Sequence, residues 1–494
     1  MKKIYIVTSI IVSLLLVCCL FASCSFTKSD TSENSTSSDS ESTTAASQDI
    51  QAFIDESEVS VSESGNTITL SGTSVTVSGS AAKADGNTVL ISSGGTYTIT
   101  GTLTDGRIIV DTDDEVTLIL DNANITCSYS SPIFIYNAKS ATIYLKEGTK
   151  NSLSDGSTYT YTDSYSSEVD EEPNACLYSK DDLIIAGSGS LTVTGNFNNG
   201  ITSKDTLKIE SCTITVEAVN HGINGKDNLT IKNANISVSA GGDGVRSTND
   251  TDTSLGYILI ASSSLNIKSG EDGIQAETYL SIADSDITIT SVSSSANDDT
   301  SCKGIKAGTD ITIDSGSFTV NSTDDSIHSN NNITIKGGTF SLTTNDDGIH
   351  ADNTLTINDG TFTISAHEGL EATIININGG TLTIDASDDG INAAQKISGV
   401  TPTVEINGGE ITINMGQGDT DAIDSNGNIV INDGTINITA QSPFDYDGSG
   451  SLNGGTVTVN GSVVTELTNQ FAGGMGGGDM GGPGGNGGGF GRRP

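Results

Sequence analysis

Tryptophan is absent from the 494 residues, and tyrosine and phenylalanine number only 12 and 11. That disfavours a flat row of exposed aromatic rings, the surface needed to lie on a crystalline glucan. Positive charge is also scarce. Lys and Arg total 21 against 62 Asp and Glu, a formal net charge of -41. Such a chain repels nucleic acid and anionic membrane surfaces, so a nucleic-acid role is excluded. The same charge opposes acidic glycans unless cations mediate. Beyond residue 23 the cysteines are Cys24, Cys127, Cys176, Cys212 and Cys302. Their spacing fits no zinc pattern and no dense disulfide framework, and the last four read as core thiols. Proline is rare and helix formers are sparse. What remains is rich in Gly, Ser, Thr, Asn and Asp.

The chain opens with Lys2 and Lys3, an apolar run from Ile4 to Phe21, and Phe21-Ala22-Ser23-Cys24. A positive start, an apolar stretch and small residues before a cut describe a signal peptide over residues 1–23. Cys24 after Ala-Ser resembles the bacterial lipoprotein signal, with Phe21 where Leu is usual, so Cys24 is the expected lipid-bearing residue. The competing reading is an uncleaved anchor, since the run approaches the ~20 residues a bilayer needs. Either way the rest of the chain is placed outside the membrane. Removing residues 1–23 takes away two lysines and no acid, leaving a charge near -43. Residues 24–58 are mostly Ser, Thr, Asp and Glu without an apolar period and read as a flexible tether. Residues 466–494 are a Gly-rich tail, mostly Gly from Ala472 on, that cannot bury a core and reads as disordered.

Residues 59–465 are too many for one ordinary globular core, a limit that a solenoid escapes because each repeat touches only its neighbours. One motif recurs there: an acid or polar residue, Gly, an aliphatic, any residue, then a small one. It reads Asn199-Gly200-Ile201, His221-Gly222-Ile223, Asp243-Gly244-Val245, Asp272-Gly273-Ile274 and Lys303-Gly304-Ile305. It continues as Asp325-Ser326-Ile327, Asp347-Gly348-Ile349, Glu368-Gly369-Leu370, Asp389-Gly390-Ile391 and Asp421-Ala422-Ile423. From Leu177 to Ile423 the aliphatic intervals are 24, 22, 22, 29, 31, 22, 22, 21, 21 and 32. A base period of 21 or 22 with loop insertions before Ile274, Ile305 and Ile423 signals a solenoid. Each period holds three short apolar-alternating pieces, such as Ile349/Ala351, Leu355/Ile357 and Phe362/Ile364, separated by turns such as Asn358-Asp359-Gly360. Three strands per coil predict an all-β, right-handed parallel β-helix, the hand being that of parallel connections generally. The Leu and Asn spacing of a leucine-rich repeat is missing, as is the nine-residue calcium repeat of secreted toxins. Residues 59–170 share the strand texture without the motif and read as irregular coils with an N-terminal cap.

The acids before Gly form a row, because equivalent residues of successive coils stack ~4.8 Å apart. The row holds Asp324-Asp325, Asp346-Asp347, Glu368, Asp388-Asp389 and Asp421. Three residues after the last acid of each come His328, His350, Glu371, Asn392 and Asp424. Two carboxylates ~4.8 Å apart repel by ~3.5 kcal/mol at an effective dielectric of ~20. A divalent ion between coils reverses the sign. Calcium sits ~2.3–2.6 Å from its oxygen ligands, so two ligands flanking it span about one coil rise. The candidate Ca2+ ligands are therefore Asp324, Asp325, Asp346, Asp347, Glu368, Glu371, Asp388, Asp389, Asp421 and Asp424, with the sharpest site at Glu368 and Glu371 flanked by Asp347 and Asp389. The competing reading is a set of hydrated turn acids, as at Asp359 and Asp433. His328 and His350 would be ligands only of a softer metal, or plain hydrogen-bonding neighbours.

Further residues carry a resemblance. Ala175-Cys176-Leu177-Tyr178-Ser179-Lys180 precedes Asp181-Asp182-Leu183, followed by Gly187-Ser188-Gly189, Asn199-Gly200-Ile201 and Asp347-Gly348-Ile349-His350-Ala351-Asp352. Over roughly residues 60–465 the chain resembles the bacterial carbohydrate-binding domain-containing lipoproteins. The resemblance implies a β-helix similar to pectate lyases, with bound calcium and affinity for plant cell-wall polysaccharide, cellulose and acidic pectin included, without demonstrated lyase chemistry. In the similar lyases calcium is held by an Asp-Asp pair, an acid three residues later and an acid one coil earlier. Asp388-Asp389 fits the pair and Glu368 or Glu371 the earlier coil, while Asn392 departs from the pattern. Asp421 and Asp424 fit, with Thr420 in place of the first Asp.

Three functions follow as expectations. The first is a lipid-anchored surface protein that binds plant cell-wall polysaccharide through calcium. The second is a calcium-dependent lyase, for which Lys306 is the candidate base. The third is a wall spacer or adhesin stiffened by calcium. Tyr159, Tyr161 and Tyr165 in an insertion could offer rings to a sugar or form a loop without a ligand.

Overall fold

The computed structural model describes residues 50–62, 65–292, 300–416 and 420–469. Cys24, the signal peptide, the first part of the tether and the Gly-rich end from residue 470 lie outside the described residues.

Alternating apolar residues in short segments dictate strands with one buried face, and the chain obeys. The described residues form a parallel β-helix of three sheets. Each strand pairs with its equivalent one coil later. Asn199–Ser203, Thr206–Glu210 and Thr213–Ala218 make one coil; Ile223–Gly225, Asn228–Lys232 and Asn235–Ala240 make the next. Their register places Ile201 on Ile223, Leu207 on Leu229 and Ile214 on Ile236. The aliphatic columns fill the interior, and almost all are fully buried. Phe318, Phe340 and Phe362 stack there at 4.7 and 4.5 Å between ring centroids. Cys127, Cys176, Cys212 and Cys302 are buried free thiols, as their spacing predicts.

Residues 59–170 supply earlier coils of the same helix. Arg107–Asp111 and Ile133–Asn137 continue the first sheet into Ala175–Ser179. Two antiparallel hairpins, Asn66–Gly72 with Ser74–Ser78 and Ala82–Asp85 with Thr88–Ile91, stand at the N-terminal end. Thr456–Val459 and Ser462–Val464 form a third at the C-terminal end. A solenoid end is an exposed sheet edge, and these hairpins cover it.

The tether ends sooner than its composition implies. Residues 50–55 are helical and lie on the outer face of the second sheet. Ile50 and Phe53 are buried there against Leu259, Ala261 and Ala283, with Ile54, Tyr257 and Tyr279 beside them. The short helix is held at its C-terminal end. Lys232 Nζ donates to the carbonyls of Phe53 and Glu56 at 3.2 and 2.6 Å. A cation there satisfies carbonyls that no further helical turn would reach.

Candidate functional site

The Gly-aliphatic motif builds the first sheet. Alternation would send the acid inward beside the aliphatic, two residues away. Glycine allows the chain to bend instead. A Cβ on Gly369 would lie 2.4 Å from both Gly390 O and Ile384 Cγ2. At Gly369 the missing side chain leaves room for that approach, while Ser326 and Ala422 hold the same place in two other coils. Backbone hydrogen bonds then run down the motif, Gly244 N to Asp272 O and Gly369 N to Asp389 O among them, each 2.9 Å.

The acids have a structural task that the sequence reading missed. One carboxylate oxygen accepts the backbone N–H of the equivalent residue one coil on. Asp243 accepts from Asp272 at 3.1 Å, Asp272 from Lys303 at 2.9 Å, Asp325 from Asp347 at 3.2 Å and Asp389 from Asp421 at 3.1 Å. The stacked carboxylates thus cap N–H groups the sheet leaves over, which offsets part of their mutual repulsion.

The second oxygen separates two zones. From Asp243 to Glu371 the protein supplies its own cations. Arg246 meets Asp243 at 3.3 Å, Lys306 meets Asp272 at 3.1 Å, and Lys303 bridges Asp324 and Asp325. His328 reaches Asp325 at 2.7 Å; His350 reaches Asp347 at 2.7 Å and Glu371 at 2.9 Å. Lys396 adds a 2.9 Å contact to Glu371. Burial opposes charge on Asp325, but the His328 hydrogen bond and Lys303 outweigh it and hold the carboxyl well below the usual range. Burial likewise opposes charge on His350, yet its bonds to Asp347 and Glu371 raise it to about 10. His350 is shared by two acids, and Lys396 touches only Glu371. The negative charge settles there: burial raises Glu371, but His350 and Lys396 lower it on balance. Burial and the charges of Asp325 and Glu371 push Asp347 up.

Below Glu371 the pattern changes. Glu368, Asp389, Asn392, Asp421 and Asp424 occupy three successive coils, with Asn392 paired to Glu371 on one side and to Asp424 on the other. Asp445 follows Asp424 one coil later. Among the described residues no Lys, Arg or His forms an ion pair with Glu368, Asp389 or Asp424. Asn392 is 9 % exposed; its Nδ2 donates to Glu368 Oε2 at 3.0 Å, and its Oδ1 is buried without a hydrogen-bond partner. Burial pushes Glu368 up to about 7, with the Asn392 bond opposing and the charges of Asp347, Glu371 and Asp389 adding. Burial and the charges of Asp389, Asp445 and Asp421 raise Asp424 to about 7. Burial, Asp388 and Asp421 raise Asp389 to about 6. Each donor here is an oxygen, and the unmet negative potential and the orphaned amide oxygen together fit a hard divalent cation such as calcium.

The ten expected metal ligands therefore part company. Asp324, Asp325, Asp347 and Glu371 already hold protein cations, and Asp346 is exposed beside Asp324 and Asp325. Asp388 lies 3.9 Å from the exposed His367. Glu368, Asp389, Asp421 and Asp424 share three successive coils with Asn392, which bonds Glu368 and pairs in register with Asp424. The tyrosines of the 156–174 insertion dock that loop. Tyr159 stacks on Phe197 at 4.2 Å, and Tyr165 packs edge-on against Tyr136 at 5.1 Å.

Comparison with known proteins finds relatives of this chain. A carbohydrate-binding domain-containing protein of Acetivibrio thermocellus is 46% identical over 132 residues, 26% of this chain and 45% of that protein. The match thus spans less than half of that relative. A solved structure, of a polysaccharide lyase-like protein from C. thermocellum as a gadolinium derivative, is 32% identical with a TM-score of 0.44, covering 52% of this chain and 96% of the other. The family model for carbohydrate-binding domain-containing proteins matches residues 85–348 and 344–465, and this chain belongs to that family.

Proposed function

We propose that this protein holds acidic plant cell-wall polysaccharide, pectin or polygalacturonate, at the cell surface through calcium bound by Glu368, Asp389, Asn392, Asp421 and Asp424. One observation carries the reading. Along one row of one sheet, acids that are matched by Lys, Arg or His give way at Glu368, Asp389 and Asp424 to acids without such an ion pair among the described residues. The unmatched stretch also contains a buried amide oxygen with no partner. When bound, calcium supplies positive charge that uronate carboxylates can share with the protein. The chain's own residues fix the position: Gly369 and Gly390 bring the coils together, and Asp389 is oriented by the N–H of Asp421. Export and a lipid on Cys24 would place the site outside the cell. Retention on immobilised polygalacturonate, lost in EDTA and restored by calcium, is the expected result. Retention that ignores the chelator would remove the metal from the account.

The alternative is a calcium-dependent lyase with Lys306 as base. A base must reach the proton it abstracts. Lys306 pairs with Asp272 and stands four coil steps from Asn392, through His328, His350 and Glu371. At ~4.8 Å per coil that is about 19 Å, which separates Lys306 from a sugar at the cation cluster.

A further inference from the structure

On the second sheet two non-repeating segments converge: residues 50–56, helical over 50–55, and the insertion 248–256. They enclose an open cleft of about 570 Å³, within the ~300–1,000 Å³ typical of small-ligand sites. Both walls are pinned. Lys232 fixes the first; Asn249 Nδ2 bonds Asp227 at 2.7 Å and Thr278 Oγ1 bonds Leu255 O at 2.6 Å to fix the second.

The floor is one outward row of successive coils. Thr206 pairs with Asn228 and Asn228 with Tyr257, and Tyr279 stacks on Tyr257 at 4.9 Å with planes 10° apart. Asn228 precedes Tyr257 in this row, which drops there from an aromatic to a short side chain. Asn228 is 6 % exposed and lines the cleft. Its Nδ2 donates to Thr206 Oγ1 at 3.3 Å, and its Oδ1 is buried with no hydrogen-bond partner. The site thus offers a flat apolar face and, beside it, an acceptor in need of an O–H or N–H donor.

Among the described residues, the one lysine that lines the cleft is held by two carboxylates. Lys208 Nζ meets Glu56 at 2.8 Å and Glu210 at 3.2 Å. No cation is left to attract a carboxylate or phosphate. The matching ligand is neutral, ring-shaped, apolar on its faces and hydroxylated at its edge. We infer that this cleft is a metal-independent subsite for one pyranose ring of a neutral oligosaccharide, stacked on Tyr257 with a hydroxyl donated to Asn228 Oδ1. It lies on a different sheet from the cation cluster and rests on the family's carbohydrate binding, not on calcium.

The test is saturation-transfer NMR on the full mature chain in EDTA, with cellotetraose, xylotetraose and mannotetraose as separate probes. At least one is expected to receive saturation from tyrosine ring protons. Its affinity should fall by about tenfold or more in Tyr257→Leu and in Ser254→Trp. The second variant alters an exposed loop residue and fills the cleft without touching the core. Asp424→Asn should bind as the parent does, so failure here is separable from failure of the calcium reading. No transfer to any of the three at millimolar concentration, or unchanged binding in Ser254→Trp, overturns the assignment. So would transfer from the 50–56 segment that is lost with Asp424→Asn but kept in Tyr257→Leu.

Discussion

The same acid serves opposite purposes according to its partner. Asp325 and Asp389 occupy equivalent positions and both cap an N–H of the next coil. Lys303 and His328 face the first, and no basic side chain pairs with the second among the described residues. His350 shows how firmly the matched zone is neutralised. Its folded pKa, about 10, lies above the ordinary 6.5. Its contribution to stability is therefore complete below about pH 6.5 and is lost as pH rises through about 10. The imidazole should still carry its extra proton at about pH 8 by heteronuclear NMR; a midpoint between about pH 6 and 7 would show that Asp347 and Glu371 do not hold it. Glycine is tested at the same scale. Gly369→Ala sets a Cβ 2.4 Å from the next coil's backbone and from Ile384. It should cost about 1–3 kcal/mol in thermal unfolding, the range for an overpacked core.

At the scale of elements, the coil and its three strands were legible because one period of apolar residues repeats with so little variation. The positions of the insertions were legible as well, since they lengthen the intervals before Ile274, Ile305 and Ile423. The helical segment at 50–55 was not. Its composition is that of a tether, and its apolar partners sit two hundred residues away in sequence. A signal did exist in Tyr257-Ile258-Leu259-Ile260-Ala261, a run apolar on both faces, which implies that the outer face is covered too. Lys232 holds that segment by its carbonyls, so Lys232→Ala should weaken its docking by about 1–3 kcal/mol. Limited proteolysis should then cut near residues 50–62 while the coils stay intact. Equal resistance in parent and variant would mean that Ile50 and Phe53 alone suffice. The Phe318–Phe340–Phe362 column sits deep in the coil stack, and Phe340→Ala should lower stability by about 3–5 kcal/mol.

Across the whole molecule, an acidic chain belongs to a carbohydrate-binding family, and its acids are unevenly compensated. Sequence reasoning found the row and its spacing. It could not see which acids had found cations, because Lys303, His350 and Lys396 become partners only when the coils stack. It also treated Asn392 as a departure from a pattern, whereas burial makes its unpartnered oxygen part of the candidate site. Calcium that binds the folded state should raise the melting temperature, with a gain of about 2.7 kcal/mol at a hundred times the dissociation constant. The most direct test of the central claim is calorimetric titration of calcium into the chelator-stripped protein and into the Asp389→Asn/Asp424→Asn double variant. The account predicts a saturable heat in the parent that the double variant loses. A parent that gives no heat, or a double variant that titrates as the parent does, would contradict it.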